Sequence, residues 1–282
     1  MTVRIVTDST SDLPEDIVQN LGITVVPLNV HFGTDSFKDG VDLSADEFYD
    51  RLLNGPVLPT TSQPSIGEFA QTYEEVAGDA DGILSIHISS KVSGTYNSAV
   101  QATSEARVSC PIEVVDTQQM SMGLGMTVMA AAAAVQKGCD LGEATAVVKR
   151  ASGLAQCIAL FETLEYLQKG GRVGKAGALI GSLLRIRPMI IVRDGEVHEL
   201  AKERSRPRGI ARLQRTACEF APIDELAVIY STTPDDARAV ADSLSDLLPD
   251  SKEPIIARYG PVIGTYAGPG ALGLGLLRSG PA

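Results

Sequence analysis

The first thirty residues leave few folds open. VRIVTD (residues 3–8) is a short β-branched run. DSTSDLPEDIVQNLG (8–22) follows with helix punctuation: Ser11 or Asp12 as the N-cap, Pro14 in the first turn and Gly22 as the stop. ITVVPLNV (23–30) is a second strand. Two strands joined through a helix pair in parallel, because the crossover carries the chain back to start the second strand in the same direction.

The alternation then repeats. A hairpin-like piece spans His31 to Asp39. SADEFYDRLLN (44–54) is a helix with a capping box, Ser44 with Glu47 three residues on. PTTSQPS (59–65) is a loop leading into a helix from Ile66 to Ala77. GILSIHISS (82–90) reads as a strand, SGTYNSAVQATSEA (93–106) as a helix, IEVVDT (112–117) as a strand, and Met122 to Lys137 as a long alanine-rich helix. This is an α/β layer of the doubly wound parallel type. After Gly138 the pattern changes. A helix in DLGEATAVVKRASG and a strand-then-helix in CIALFETLEYLQKGG precede a hairpin in RIRPMIIVRDGEVHELAKERS, which turns at Asp194-Gly195. A basic helix, PRGIARLQRTACEFA, and further alternating segments complete the chain. The expectation is two domains: residues 1–150 as the α/β layer, and residues 151–282 as an α+β domain with a mixed or antiparallel sheet.

Composition narrows the function classes. With no tryptophan, 5% aromatics and 44% hydrophobic residues among 282, the core must be mostly aliphatic. The net charge of -11 argues against a nucleic-acid binder, which needs cations to neutralise phosphates. Yet twelve of the 24 Lys and Arg residues fall between Lys169 and Arg215, against four Asp or Glu. That stretch is either a docking face for something anionic or the solvated side of its helices. The four cysteines have no metal or disulfide spacing and fit reduced thiols. No secretory leader is visible, and the longest apolar run, Leu124 to Val135, is too short to cross a bilayer. A cytoplasmic location is expected.

Several chemistries fail on spacing. There is no GxSxG elbow and no SxxK; a triad would need His31, His87 or His198, and the hydrolase alternative is Ser93 with His87. GPGALG (268–273) has the dinucleotide spacing but no room after it for the rest of that motif. GGRVGKA (170–176) lacks both the P-loop spacing and its magnesium-binding hydroxyl. No metal-ligand spacing occurs, and no metal or cofactor is expected. What stands out is two hydroxyl-rich loops before helices, Thr60 to Ser65 and Ser89 to Thr95. Helix N-termini offer free N–H groups and partial positive charge, and with few cations nearby such loops suit one carboxylate. The plainer alternative is that both are helix caps.

VTDSTSDLP, TTSQPS, HISSKVSGTYNSA, LEYLQKGGRVGK and IGTYAGPGALG, in that order over essentially the whole chain, resemble the DegV family. Its members include the fatty-acid-binding subunit of bacterial fatty acid kinase. The resemblance implies one long-chain fatty acid buried between two domains, its carboxylate held by Thr61, Ser62, Ser93 and Gly94 and its chain in an apolar tunnel of the second domain. It implies no catalysis by the chain itself and no cofactor. A kinase catalytic subunit would phosphorylate the bound acid to acyl-phosphate, with Arg172 and Arg204 in partner docking and transient contact with an anionic membrane. Where the family usually carries His after Gly-Thr in the tail, this chain has Tyr266. A phenol still donates a hydrogen bond to a carboxylate but does not become a cation near neutral pH. A serine-dependent hydrolase and a lipid-sensing regulatory module without a kinase are the alternatives.

Overall fold

The computed structural model describes residues 2–179 and 186–280. Arg185, at the start of the expected hairpin and part of the basic stretch, lies outside them. Four strands form a parallel sheet in the spatial order Ile23–Val26, Val3–Asp8, Gly82–His87, Ile112–Asp116. The Gly82–His87 strand is buried along its whole length, which is why its residues run apolar without alternation.

Two local expectations need correction. Residues 23–30 are not one strand. Pro27 has no N–H for a ladder, and the chain leaves the parallel sheet there. Asn29–Phe32 instead pairs antiparallel with Asp35–Lys38 and with Thr60–Ser62 in a small separate sheet. The loop at residues 59–65 therefore begins as a strand. Secondly, Ser9–Ser11 forms a 3-10 turn capped by Asp8, Asp12 adopts the left-handed conformation (φ 53°), and the N-cap of helix Glu15–Leu21 is Pro14. Gly22 ends that helix in the left-handed conformation, as its position suggests.

The second sheet is mixed. Its order is Glu196–Glu203, Arg187–Arg193, Ala155–Leu160, Leu272–Arg278, Ile223–Tyr230, Ile255–Arg258. Neighbours pair antiparallel except the last two strands, which are parallel. The hairpin turns at Asp194-Gly195, both with positive φ.

The alanine-rich helix, Met122–Gln136, lies between the two sheets. Leu124 and Val128 join the core of the parallel sheet, while Met122 and Met126 join the core over the second. A helix buried on both faces must be apolar all round, and small residues let it approach both sheets closely. A Cβ on Gly275 of the central strand would sit 2.5 Å from Met122 Cβ. The short helix Pro261–Ala267 returns from the second sheet to pack on helix Ala45–Asn54 and on the small sheet. There a Cβ on Gly264 would meet Phe48 and Tyr49 at 2.7 Å.

Candidate functional site

The returning helix closes one wall of an apolar cavity between the two sheets. The cavity holds about 850 Å³ free of protein atoms, its open mouth included. Leu28, Ile88, Met120 and Val92 come from the parallel-sheet side, and Cys157, Ala159, Phe161, Ile190 and Val197 from the second sheet. Val262, Ile263 and Ala267 come from the returning helix. Its walls are thus drawn from both halves of the chain. Burial pushes the Cys157 thiol up to about 12, so it is a neutral, apolar wall group.

Polar groups gather at Thr61, Ser62, Gln63, Ser93, Arg172 and Tyr266. The strand Thr60–Ser62 fixes Thr61 and Ser62, and the capping box of Ser65 and Glu68 starts the helix behind them. Thr61 Oγ1 and Tyr266 OH lie 2.5 Å apart, joining residues 205 positions distant in sequence. Ser62 Oγ is 3.0 Å from His31 Nε2 and accepts from Asn29 Nδ2 at 3.3 Å. Ser93 Oγ accepts from the Thr95 N–H at 3.3 Å, at the start of helix Thr95–Glu105, and meets Thr95 Oγ1 at 2.8 Å. Four of the five proposed carboxylate contacts, Thr61, Ser62, Ser93 and Tyr266, therefore line one cavity. Gly94 does not line it. A Cβ there would sit 2.6 Å from Gln63 Nε2, so its bareness makes room for a polar lining residue that the sequence did not single out.

Tyr266 is held by a reciprocal packing of two motifs. A Cβ on Gly170 would come within 2.5 Å of the Tyr266 ring, and a Cβ on Gly268 within 2.3 Å of the Tyr166 ring. Each tyrosine covers a glycine of the other segment, which accounts for the first glycine in QKGGR and in YAGPG. Arg172 is exposed at the mouth, its guanidinium 5.5 Å from the centre of the Tyr266 ring. It donates to the Val92 and Gly170 carbonyls and has no carboxylate partner among the described residues. Tyr266, Thr61 and Arg172 also line a second pocket with Leu58 and Lys169. Arg204 is exposed in the bend after Glu196–Glu203 and lines neither space. Much of the basic stretch is committed elsewhere. Arg206 binds Glu162, Asp236 and the Gly270 carbonyl, Arg187 binds Glu162, and Lys175 binds Glu196.

His87 does not serve Ser93. Its Nδ1 lies 2.9 Å from Asp8 Oδ2 and its Nε2 2.6 Å from Ser85 Oγ, which in turn meets Tyr73 OH at 2.9 Å. Ser85, His87 and Asp8 have the connectivity of a hydrolytic triad, but all three are fully buried and none lines the cavity. The chain ends at Thr10, which lines the cavity and gives both its N–H and its hydroxyl to Asp8. Among the described residues no group of three or more His, Cys, Asp or Glu side chains is placed to hold a metal, and no helix is long and apolar enough to cross a membrane.

Comparisons with known proteins bear on this geometry. A family model described as the DegV family of uncharacterised proteins matches residues 2–279. A DegV domain-containing protein of Streptomyces coelicolor is 41% identical over 277 residues, covering 96% of this chain and 97% of its own. Among solved structures, a DegV-family protein of Thermus thermophilus described by its fatty acid binding superposes with a TM-score of 0.89 at 33% identity, covering 98% of this chain and 99% of its own. DegV of Bacillus subtilis, described as a fatty acid binding protein, gives 0.87 at 30% identity, with 98% and 99% covered.

Proposed function

The chain belongs to the DegV family, and we propose that its function is to hold one long-chain fatty acid, carboxylate at the mouth and acyl chain in the cavity, for use by a partner. The observation that carries this reading is the cavity itself: a mostly apolar space with the hydroxyls of Thr61, Ser62, Ser93 and Tyr266 in its lining. Burying a chain is worth about 0.8 kcal/mol per CH2, so the affinity comes from the tail. Thr61, Ser62, Ser93 and Tyr266 then serve to orient the head group. They offer neutral hydroxyl donors to a carboxylate.

The acid is presented, in this reading, to the catalytic subunit of a fatty acid kinase, which brings ATP and metal and converts the carboxylate to acyl-phosphate. In this reading Arg172, whose exposed guanidinium lies over the Tyr266 ring, docks that partner, with Arg204 as a second docking residue. The same cations favour brief contact with an anionic membrane, from which the acid is drawn.

Native mass spectrometry of the purified protein, followed by denaturation and lipid analysis, tests the binding step. One fatty acid per chain is expected, either carried from the host or taken up from added oleic acid. A chain that carries none and takes up none overturns the reading. Addition of a fatty acid kinase catalytic subunit and ATP to the loaded protein tests the second step. Acyl-phosphate formation, lowered at least tenfold in Arg172→Ala with oleate still bound, is expected. Bound oleate with no acyl-phosphate would replace the kinase step with a lipid-sensing role.

A further inference from the structure

Three buried carboxyls, Asp8, Asp12 and Asp39, lie behind the cavity wall, and only Asp8 is explained by the His87 chain. Asp12 and Asp39 are 8% and 5% exposed. Both converge on the start of the returning helix. Asp12 Oδ1 accepts the Gly260 N–H at 2.9 Å, and Oδ2 accepts the Ser121 hydroxyl at 2.5 Å. The polar groups beside Asp39 are Ser9 and the Val262 backbone. A Cβ on Gly260 would lie 3.3 Å from Asp12 Oδ1 and 3.3 Å from Asp39 Oδ1, so the two carboxyls flank one backbone position. Asp39 Oδ2 is buried with no hydrogen-bond partner. Asp12 and Ser121 also both hold positive φ, a strained backbone kept by the contact between them.

We propose that Asp12 and Asp39 are positioning residues for the acyl cavity, a carboxyl pair that must keep a proton for helix Pro261–Ala267 to stay docked, so that release of the ligand responds to pH. For its ligand the proposal rests on the fatty-acid reading above; for its mechanism it rests on the contacts of the pair. The helix carries Val262, Ile263, Tyr266 and Ala267 of the cavity wall, so its undocking opens the site.

Among the described residues the surroundings supply no cation to offset two negative charges. Asp8 adds a third carboxyl and is engaged with His87. Tyr49 of helix Ala45–Asn54, Tyr259 and Cys157 face the pair as neutral groups raised by burial. Arg258 stacks 5.2 Å from the centre of the Tyr49 ring and spends its charge on Asp46. Burial, aided by the neighbouring carboxylates, holds Asp12 well above the usual carboxylate range and lifts Asp39 to about 7. Two like charges in a dry site repel strongly, and the cheapest relief is to let water reach them by lifting the helix. A carboxyl that ionises near 4 when hydrated and near 7 when docked takes up a proton on docking. The docking equilibrium then falls up to tenfold per pH unit between those values and levels off above 7.

Two readouts test this on the full chain. The first is the release rate of preloaded oleic acid from pH 5 to 8. The second, which needs no ligand, is amide hydrogen exchange of residues 262–267, corrected for intrinsic exchange, over the same range. Release and exchange in the native sequence should both quicken as pH rises from 5 to 7. Asp39→Asn should remove up to tenfold per pH unit of that rise, and Asp12→Asn, which takes away the second carboxyl of the pair, should make the rise shallower. Oleate's own ionisation is common to all three proteins and drops out of the differences. Equal pH slopes in the native protein and both variants overturn the proposal, as does a native helix whose exchange does not change with pH. If a variant does not fold, the native exchange profile decides alone. A protein that takes up no oleate but shows the pH-dependent exchange refutes the fatty-acid reading while sustaining the proton-linked helix.

Discussion

At the scale of single residues, the site depends on side chains that are absent as much as on those present. Gly170 has no steric room for a methyl group under Tyr266. Gly170→Ala should cost about 1–3 kcal/mol of stability by overpacking and weaken oleate binding severalfold by displacing the phenol, read by chemical denaturation and by titration. Adding Tyr266→Ala to Gly170→Ala should recover much of the stability, because the clashing ring is gone, so the pair should be strongly non-additive. Tyr266→Phe keeps the ring and deletes only the bond to Thr61. A loss of about 0.5–1.5 kcal/mol is expected, smaller than for Gly170→Ala. The hydroxyls were legible in the sequence because Ser and Thr crowd two loops that precede helices. Asp12, Asp39 and Gln63 were not. Asp12 resembled a helix cap and Asp39 a turn residue, and only the return of a helix 220 and more positions later turns them inward.

At the scale of elements, local signals were read well and distant pairings poorly. The capping boxes at Ser44 and Ser65 form as their spacing dictates. Ser65→Ala should lower stability by about 1 kcal/mol in urea melts and loosen the Thr61–Gln63 segment that the helix start anchors. A control, Ser104→Ala on the exposed face of helix Thr95–Glu105, should stay within about 0.5 kcal/mol of the native protein. Thr60–Ser62 could not be recognised as a strand. Three residues carry almost no periodicity, and its partner Asn29–Phe32 lies thirty residues upstream. The split of residues 23–30 was visible in principle at Pro27, which cannot donate to a ladder. The glycine pattern of GPGALG is now explained by close approach, since Gly268, Gly270 and Gly273 face Tyr166, Glu162 and Tyr259.

For the whole molecule, buried carboxyls set the pH range of stability. Asp39 ionises near 7 when folded and near 3.9 when unfolded, so the folded state binds more protons between those values. Its contribution to stability is therefore lost as pH rises from about 4 to 7 and changes little beyond. Glu68 acts in the opposite sense. Although burial raises it, hydrogen bonds from Lys38 and Ser65 hold it below its ordinary value, so its contribution is lost as pH falls. Thermal melts should give the highest Tm near pH 4–5 and a decline to about pH 7, and Asp39→Asn should flatten the decline. The two-sheet architecture was legible because parallel sheets need crossover helices and hairpins announce themselves by turns. The order of strands in the second sheet was not, since Leu272–Arg278 sits at its centre between Ala155–Leu160 and Ile223–Tyr230.

That placement governs how the protein can be made. Strand Leu272–Arg278 joins two strands that left the ribosome earlier, and until it arrives each exposes an unpaired edge and an apolar face. The parallel sheet can form during translation well before the cavity, whose returning wall, helix Pro261–Ala267, emerges more than a hundred residues later. A nascent chain stalled before residue 260 would hold the strands of the parallel sheet, an unclosed cavity, and a sticky surface that chaperones and proteases can recognise.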